Sequence, residues 1–435
     1  MDKVLEKPDF KISEKDLKVS DMAETLIFSE IVKLANEINE KINSGERVFN
    51  LTIGDFNSHI FPIPDEFKDL IIKSYNHHDT NYPVAGGMPA LKSAISEFIK
   101  RKEGLDYKPS EITVASGARP LIFSTFNTLV NPGEKVLYPV PSWNNNHYTH
   151  ISYAEHICVE TLPENNFMPY ASDLKPYIND VALISLCSPL NPTGTVLTEN
   201  NLREICDLIL EENHNRIKAG RKPVYLMFDQ IYWVLTYNNI KHVSPVSIYP
   251  EMKNFTIFID GMSKYFAATG VRLGWSLAPA SITDRFKTMI AHMGAWAPKA
   301  EQIAASHYLK DTENVDKYLE HFKEELSYRL NKFYEGLTGL KEKGYGIEVI
   351  PPQAAIYLTI KVDLIGKKKP DGTVINSSHD TTRYLINEAK MGVVPFYAFG
   401  SPESSQWFRV SVGTIKRDEI DECVNNLERA LSRLK

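Results

Sequence analysis

The sequence predicts an α/β protein in which a mostly parallel, doubly wound sheet is joined to a smaller α+β domain built from both termini. Three observations predict it. From residue 112 onward, short apolar runs alternate with helical stretches, the pattern of strands buried between two helical layers. Residues 313–343 then carry one helical stripe through Val315, Leu319, Phe322, Leu326, Leu330, Phe333 and Leu337, and a second strand-and-helix region follows to Lys435. Finally, 435 residues are too many for one simple core, so two domains sharing a large interior are expected. The boundaries read as 1–55 for an amino-terminal arm and part of the small domain, 56–310 for the large domain, and 311–435 for the rest of the small one.

Taken in order, a polar arm leads to a helix over 27–42, where Phe28, Ile31, Leu34, Ile38 and Ile42 recur at helical spacing and Gly45 ends the run. A short apolar strand over 48–53 runs into Gly54-Asp55-Phe56. Asn81-Tyr82-Pro83-Val84-Ala85-Gly86-Gly87 precedes a helix over 89–99, with Leu91, Ile95 and Phe98 on one face. The sheet strands are expected at 112–115, 136–138, 181–186, 224–228, 255–259 and 271–277. Lys367 to Pro370, between Gly366 and Gly372, reads as a solvated polar loop.

Composition narrows the function. Hydrophobic residues at 43% and charged residues at 24% fit an ordinary globular protein, and a net charge of −6 leaves no basic footprint for nucleic acid or an anionic membrane. The start, MDKVLEKPDF, lacks the apolar core of a secretory signal, and no apolar run approaches a membrane span. Cys158, Cys187, Cys206 and Cys423 are scattered without metal-ligand spacing, so reduced thiols and a cytoplasmic location are expected. His77-His78 has no ligand partner at a useful spacing, and no metal is expected.

The chemistry gathers where strands end. Lys264 follows the strand over 255–259, and a lysine at the mouth of an α/β sheet can shed its proton by burial and attack carbonyls. Asp229 occupies the same topological place after the strand over 224–228, where ligands of such sheets collect. Ser116-Gly117-Ala118-Arg119-Pro120 joins a strand to an apolar helix over 121–129. The amides of Gly117, Ala118 and Arg119 are thereby aimed at an anion, and Pro120 suits the first helical position. Trp143 lies just beyond the strand over 136–138, Asn191-Pro192-Thr193-Gly194 beyond that over 181–186, and Arg409 sits between Phe408 and Val410, which face the other side of their strand.

Ser263-Lys264 with Gly270-x-Arg272-x-Gly274-Trp275 resembles the cofactor-lysine motif of the class I/II aminotransferases, which use pyridoxal 5'-phosphate (PLP) and have fold type I. The other segments resemble that family in order, from Gly54 to Arg409. The resemblance implies an aspartate aminotransferase-like enzyme that moves an amino group between an L-amino acid and a 2-oxo acid through a Lys264 aldimine. It implies a pyridinium partner in Asp229, donors to the ring hydroxyl in Tyr232 and Asn191, and a stacking surface in Trp143. Phosphate would be held by Gly117, Ala118, Arg119 and Arg272, and by Tyr82 reaching across a homodimer interface. Gly54, Asn191 and Arg409 would meet the substrate carboxylate. Arg119 also falls where some members sense a distal carboxylate, which makes an acidic amino acid the first expectation; Phe56, Tyr82 and Trp296 could equally shape an aromatic pocket. The sequence departs from the family at Gly261, where a serine or threonine usually binds phosphate, so Ser116 or water would have to compensate. The same residues also serve decarboxylases, lyases and a cyclopropane-forming synthase in this fold, and a related domain serves regulators fused to a DNA-binding helix-turn-helix, for which the arm before Ile27 leaves no room.

Overall fold

Seven strands form the central sheet, in the spatial order Ile112–Ala115, Gly274–Leu277, Thr256–Gly261, Tyr225–Asp229, Val181–Cys187, Lys135–Val140 and Glu155–Glu160. The computed structural model describes residues 13, 17–27 and 29–435; residues 1–12 and 14–16 of the polar arm, and Phe28 of the first helical stripe, lie outside the described residues. All the strands run parallel except Gly274–Leu277, which is antiparallel to both neighbours. Their apolar runs are continuous because both faces are covered. Ile257 and Ile259 pack on one side with Leu121, Phe126 and Phe286, while Phe258 packs on the other with Phe98 and Phe228.

The sheet departs from expectation at two strands. Glu155–Glu160 was not expected; it is the sheet's edge, with only Val159 buried, so it lacks the apolar run by which inner strands are found. The strand expected over 271–277 shortens to Gly274–Leu277, because Thr269–Val271 forms a 3-10 turn and Arg272 takes left-handed backbone with φ of 61°.

Helices cover the sheet. Pro89–Glu103 and Glu199–Lys218 contribute to one core, Ala118–Leu129 and Ala280–Met293 to the other. Pro120 is the third residue of its helix rather than the first, which costs nothing because the first four amides have no intrahelical acceptor. The amino-terminal helix spans Glu30–Asn43; Ile38 is buried, whereas Ile42, expected in the same stripe, is exposed.

A second sheet is antiparallel, in the order Val394–Pro395, Trp407–Ser411, Tyr357–Val362 and Ile347–Val349. The helix Thr312–Glu342 covers it, burying every residue of the expected stripe. Phe49–Asn50 pairs in parallel with Met391–Gly392, and the chain beyond stays bound to the carboxyl-terminal sheet through Ser411 N–H to Leu51 O and Asn57 N–H to Gly413 O, both 2.9 Å. These bonds bring Gly54 to the mouth of the large sheet.

Candidate active site

The carboxyl ends of the parallel strands and one face of the small sheet enclose a cavity of about 670 Å³. Its wall includes Gly54, Ala118, Arg119, Trp143, Asn191, Asp229, Tyr232, Lys264, Arg272 and Arg409. Residues spread along the chain from Gly54 to Arg409 are thus brought together. Gly117 stands directly behind Arg272, whereas Tyr82 is outside the cavity, 82% exposed, with its ring edge-on to Trp296 at 5.0 Å.

Strand register places the first pair. Cys187 is opposite Asp229, and Asp229 opposite Ile259, so the strand ends align and Lys264 follows its own strand into the same opening. Lys264 Nζ donates to Gly54 O at 2.6 Å. Burial pulls its pKa down to about 8, opposed by Asp55 and Asp229 and helped by Arg409 and Arg119. Burial pushes the Asp229 carboxyl up to about 6, while its Oδ1 accepts the Ile231 amide at 3.1 Å and Lys264 holds it back. Low dielectric therefore disfavours charge on both, and a group of opposite charge brought to either one is held more strongly than in water.

The antiparallel strand explains the anion end. Because Gly274–Leu277 runs against its neighbours, it starts, not ends, at the cavity, and Arg272 just before it reaches the strand-to-helix turn at Gly117. Arg272 donates to Thr269 O at 2.7 Å and to Ser116 O at 2.9 Å, which fixes its plane. Gly117 has φ of 92°, and a Cβ there would strike the Arg272 guanidinium. Its own amide donates to Ala115 O at 2.7 Å, so the expected trio of free amides is reduced to Ala118 and Arg119, at the first two helical positions. At Gly261 a Cβ would stand 2.7 Å from both Gly274 Cα and Leu273 O, so backbone packing leaves no room for a hydroxyl-bearing side chain there.

Arg409 is 2% exposed and held from three sides. One amino group donates to Asn191 Oδ1 at 2.8 Å, the other to Thr52 O, and the guanidinium lies 4.6 Å over the Tyr357 ring and 5.0 Å over Phe399. Its Nε finds no hydrogen-bond partner among the described residues. Binding Arg409 at Oδ1 turns the other end of the Asn191 amide, a donor, away from it. Arg119 lies over Trp143, 4.8 Å from the ring centre. Sequence reasoning missed Tyr357 and Thr52: one reads as an ordinary apolar strand residue, and the other acts through its backbone, which carries no side-chain signal.

The residues present fit PLP. An aldehyde needs an amine that sheds its proton more readily than an ordinary lysine, as Lys264 does, a pyridine nitrogen needs Asp229, and a phosphate needs the glycine-lined turn, the helix start and Arg272. Fold and site together define the class, a fold type I PLP-dependent enzyme.

The sequence model of the aminotransferase class I and II family matches residues 46–427. An aspartate aminotransferase of Bacillus sp. (strain YM-2) is 30% identical over 422 residues, covering 94% of this chain and 98% of that protein. Among solved structures, the aspartate aminotransferase from Rhizobium meliloti has a TM-score of 0.86 at 26% identity, covering 96% of this chain and 100% of that one. An aromatic aminotransferase from Pyrococcus horikoshii OT3 gives 0.78 at 26% identity, over 91% and 98%. The chain belongs to the class I and II aminotransferases, PLP-dependent enzymes that act on an amino acid and a 2-oxo acid.

Proposed function

We propose that this aminotransferase takes an acidic L-amino acid, with Lys264, Asp229 and Tyr232 carrying the chemistry and Arg409 the substrate's α-carboxylate. The observation that carries the reading is the convergence of Lys264, Asp229 and Arg409 on one cavity from three separate elements. PLP supplies an electron sink for the charge left when the substrate loses its α-proton. Lys264, its amine depressed toward neutrality, takes and returns that proton. Asp229 holds positive charge at the ring nitrogen, and Tyr232 and Asn191 donate to the ring hydroxyl. Trp143 supports the ring face, while Arg272 and the turn at Gly117, Ala118 and Arg119 take the phosphate.

Arg409 grips both carboxylate oxygens with a guanidinium already oriented by Asn191 and Thr52, and Gly54 lets the substrate pass close to the backbone. Arg119 supports the choice of an acidic substrate, since its guanidinium is exposed within the cavity and unneutralised by any ion pair among the described residues. In this reading Tyr82 serves a homodimer, reaching the partner's phosphate site, and its exposure in one chain supports that role. We also propose the division 56–310 for the large domain, with 1–55 and 311–435 forming the small one, and a cytoplasmic location. Among the described residues no helix is long and apolar enough to cross a membrane.

The test is a panel of amino acids offered singly to the PLP-loaded enzyme, in wild type and Arg119→Gln. Aspartate or glutamate should be the fastest donor, and Arg119→Gln should lower kcat/KM for it about tenfold relative to phenylalanine. Equal losses for both substrates would remove Arg119 from specificity.

A further inference from the structure

The hydroxyls of Tyr232 and Tyr357 lie 2.7 Å apart, with both side chains buried. Two phenols bring two hydroxyl hydrogens, and the bond between them uses one. The other is left for a third group, since among the described residues neither hydroxyl has a second hydrogen-bond partner. The two rings come from different parts of the fold. Tyr232 follows the strand Tyr225–Asp229 of the large sheet, whereas Tyr357 opens the strand Tyr357–Val362 of the small one.

Register explains how Tyr357 reaches the site. Arg409 is opposite Thr359 and Tyr357 opposite Ser411, so Tyr357 and Arg409 are diagonal neighbours on one face of the small sheet. The Tyr357 ring therefore meets the Arg409 guanidinium, 4.6 Å away, and stands edge-on to Tyr232 with ring centres 5.5 Å apart. Gly54 makes room for it. A Cβ on Gly54 would lie 2.7 Å from the Tyr357 hydroxyl oxygen, and the Gly54 carbonyl is the acceptor for Lys264.

We propose that Tyr357 is a positioning residue for the transamination site: it donates its hydroxyl hydrogen to Tyr232, freeing and polarising the Tyr232 hydrogen toward the ring hydroxyl oxygen of bound PLP. The proposal rests on the reading of Lys264 and Tyr232 given above. A hydrogen bond received by a donor strengthens the bond it gives, by roughly 10–30% in condensed phase. A stronger Tyr232 bond stabilises negative charge on the ring oxygen and thereby favours loss of the proton from the cofactor-bound Lys264 nitrogen. The groups facing that nitrogen are Asp55 from the loop after Phe49–Asn50, Asp229 from the large sheet, Arg119 from the start of its helix and Arg409 from the small sheet. Tyr232, Tyr357, Cys187, Arg272, His147 and Tyr148 complete the ring of titratable groups around the cavity. Tyr357→Phe leaves all of these except the one hydroxyl, and keeps the ring beneath Arg409.

Wild type, Tyr357→Phe, Tyr232→Phe and the double variant are each loaded with PLP, and the visible absorbance is titrated with pH in the absence of substrate. Tyr232→Phe should raise the midpoint most, and Tyr357→Phe should raise it by about 0.2 to 0.6 of a pH unit. The double variant should match Tyr232→Phe alone, because Tyr357 acts through Tyr232. An unmoved midpoint in Tyr357→Phe, or the same shift with and without the Tyr232 hydroxyl, overturns the proposal and leaves the wider reading standing. A wild type whose absorbance has no pH-dependent band, or whose PLP is not reducible onto Lys264 by borohydride, overturns that reading and the proposal with it.

Discussion

The two sides of the cavity are held by different means. Asp229 and Lys264 stand at the ends of adjacent parallel strands, with few polar bonds of their own and with burial working against their charges. Arg409 and Tyr357 come from an antiparallel sheet and are fixed by hydrogen bonds and ring contacts to Asn191, Thr52 and Tyr232. Burial works against the Arg409 charge too, so what sets the second side apart is that it is preorganised. A reactive amine needs the burial, because a fully solvated lysine stays protonated; a specific carboxylate grip needs the preorganisation, because a loose guanidinium must be ordered on binding.

Breaking the side of Lys264 and Asp229 should have the larger effect. Lys264→Ala should lower turnover by about 10² to 10⁴ or more while PLP still binds noncovalently, as read from a transamination assay beside the absorbance of the bound cofactor. Retained transamination would end the assignment of the base. On the preorganised side, Arg409→Lys keeps a positive charge but loses the planar fork, so kcat/KM for the amino acid should fall about 10- to 100-fold. PLP affinity should hardly move; if it falls in parallel, Arg409 supports the fold of the site rather than the substrate.

The smallest effect sharpens the contrast in the absence of cofactor. Lys264 has its pKa lowered from 10.5 to about 8. Between those values the unfolded chain carries a proton there that the folded chain does not, so raising pH through the window stabilises the fold, and below about 8 the penalty is complete. Cofactor-free Lys264→Met should therefore resist urea better than wild type near neutral pH, and the difference should shrink towards pH 10.5. A gap that stays constant with pH would mean the lysine is comfortable as a cation.

Much of this was legible in the sequence, for reasons that differ along the chain. Inner strands such as Val181–Cys187 and Thr256–Gly261 declare themselves because they are buried on both faces. The edge strand Glu155–Glu160 does not, being mostly exposed. Of the cavity's residues, Lys264, Asp229, Asn191 and Arg409 are visible through the chemistry of their side chains and the turns that carry them. Tyr357 is invisible because its hydroxyl matters only once the two sheets meet, and that meeting is encoded by packing over long sequence distances. Pro120 and the Gly117 amide were misjudged by a two-residue error in where a helix begins, which pattern alone does not resolve.

A Cβ on Gly261 would meet the backbone of Leu273 and Gly274, and one on Gly274 the backbone of Gly117 and Ala118. Adding a phosphate-binding hydroxyl residue at 261 would wedge the strands Thr256–Gly261 and Gly274–Leu277 apart where they pair. Any lineage, natural or engineered, that acquires a tighter grip on its vitamin-derived group must find that contact on another surface, and the route through this position is closed.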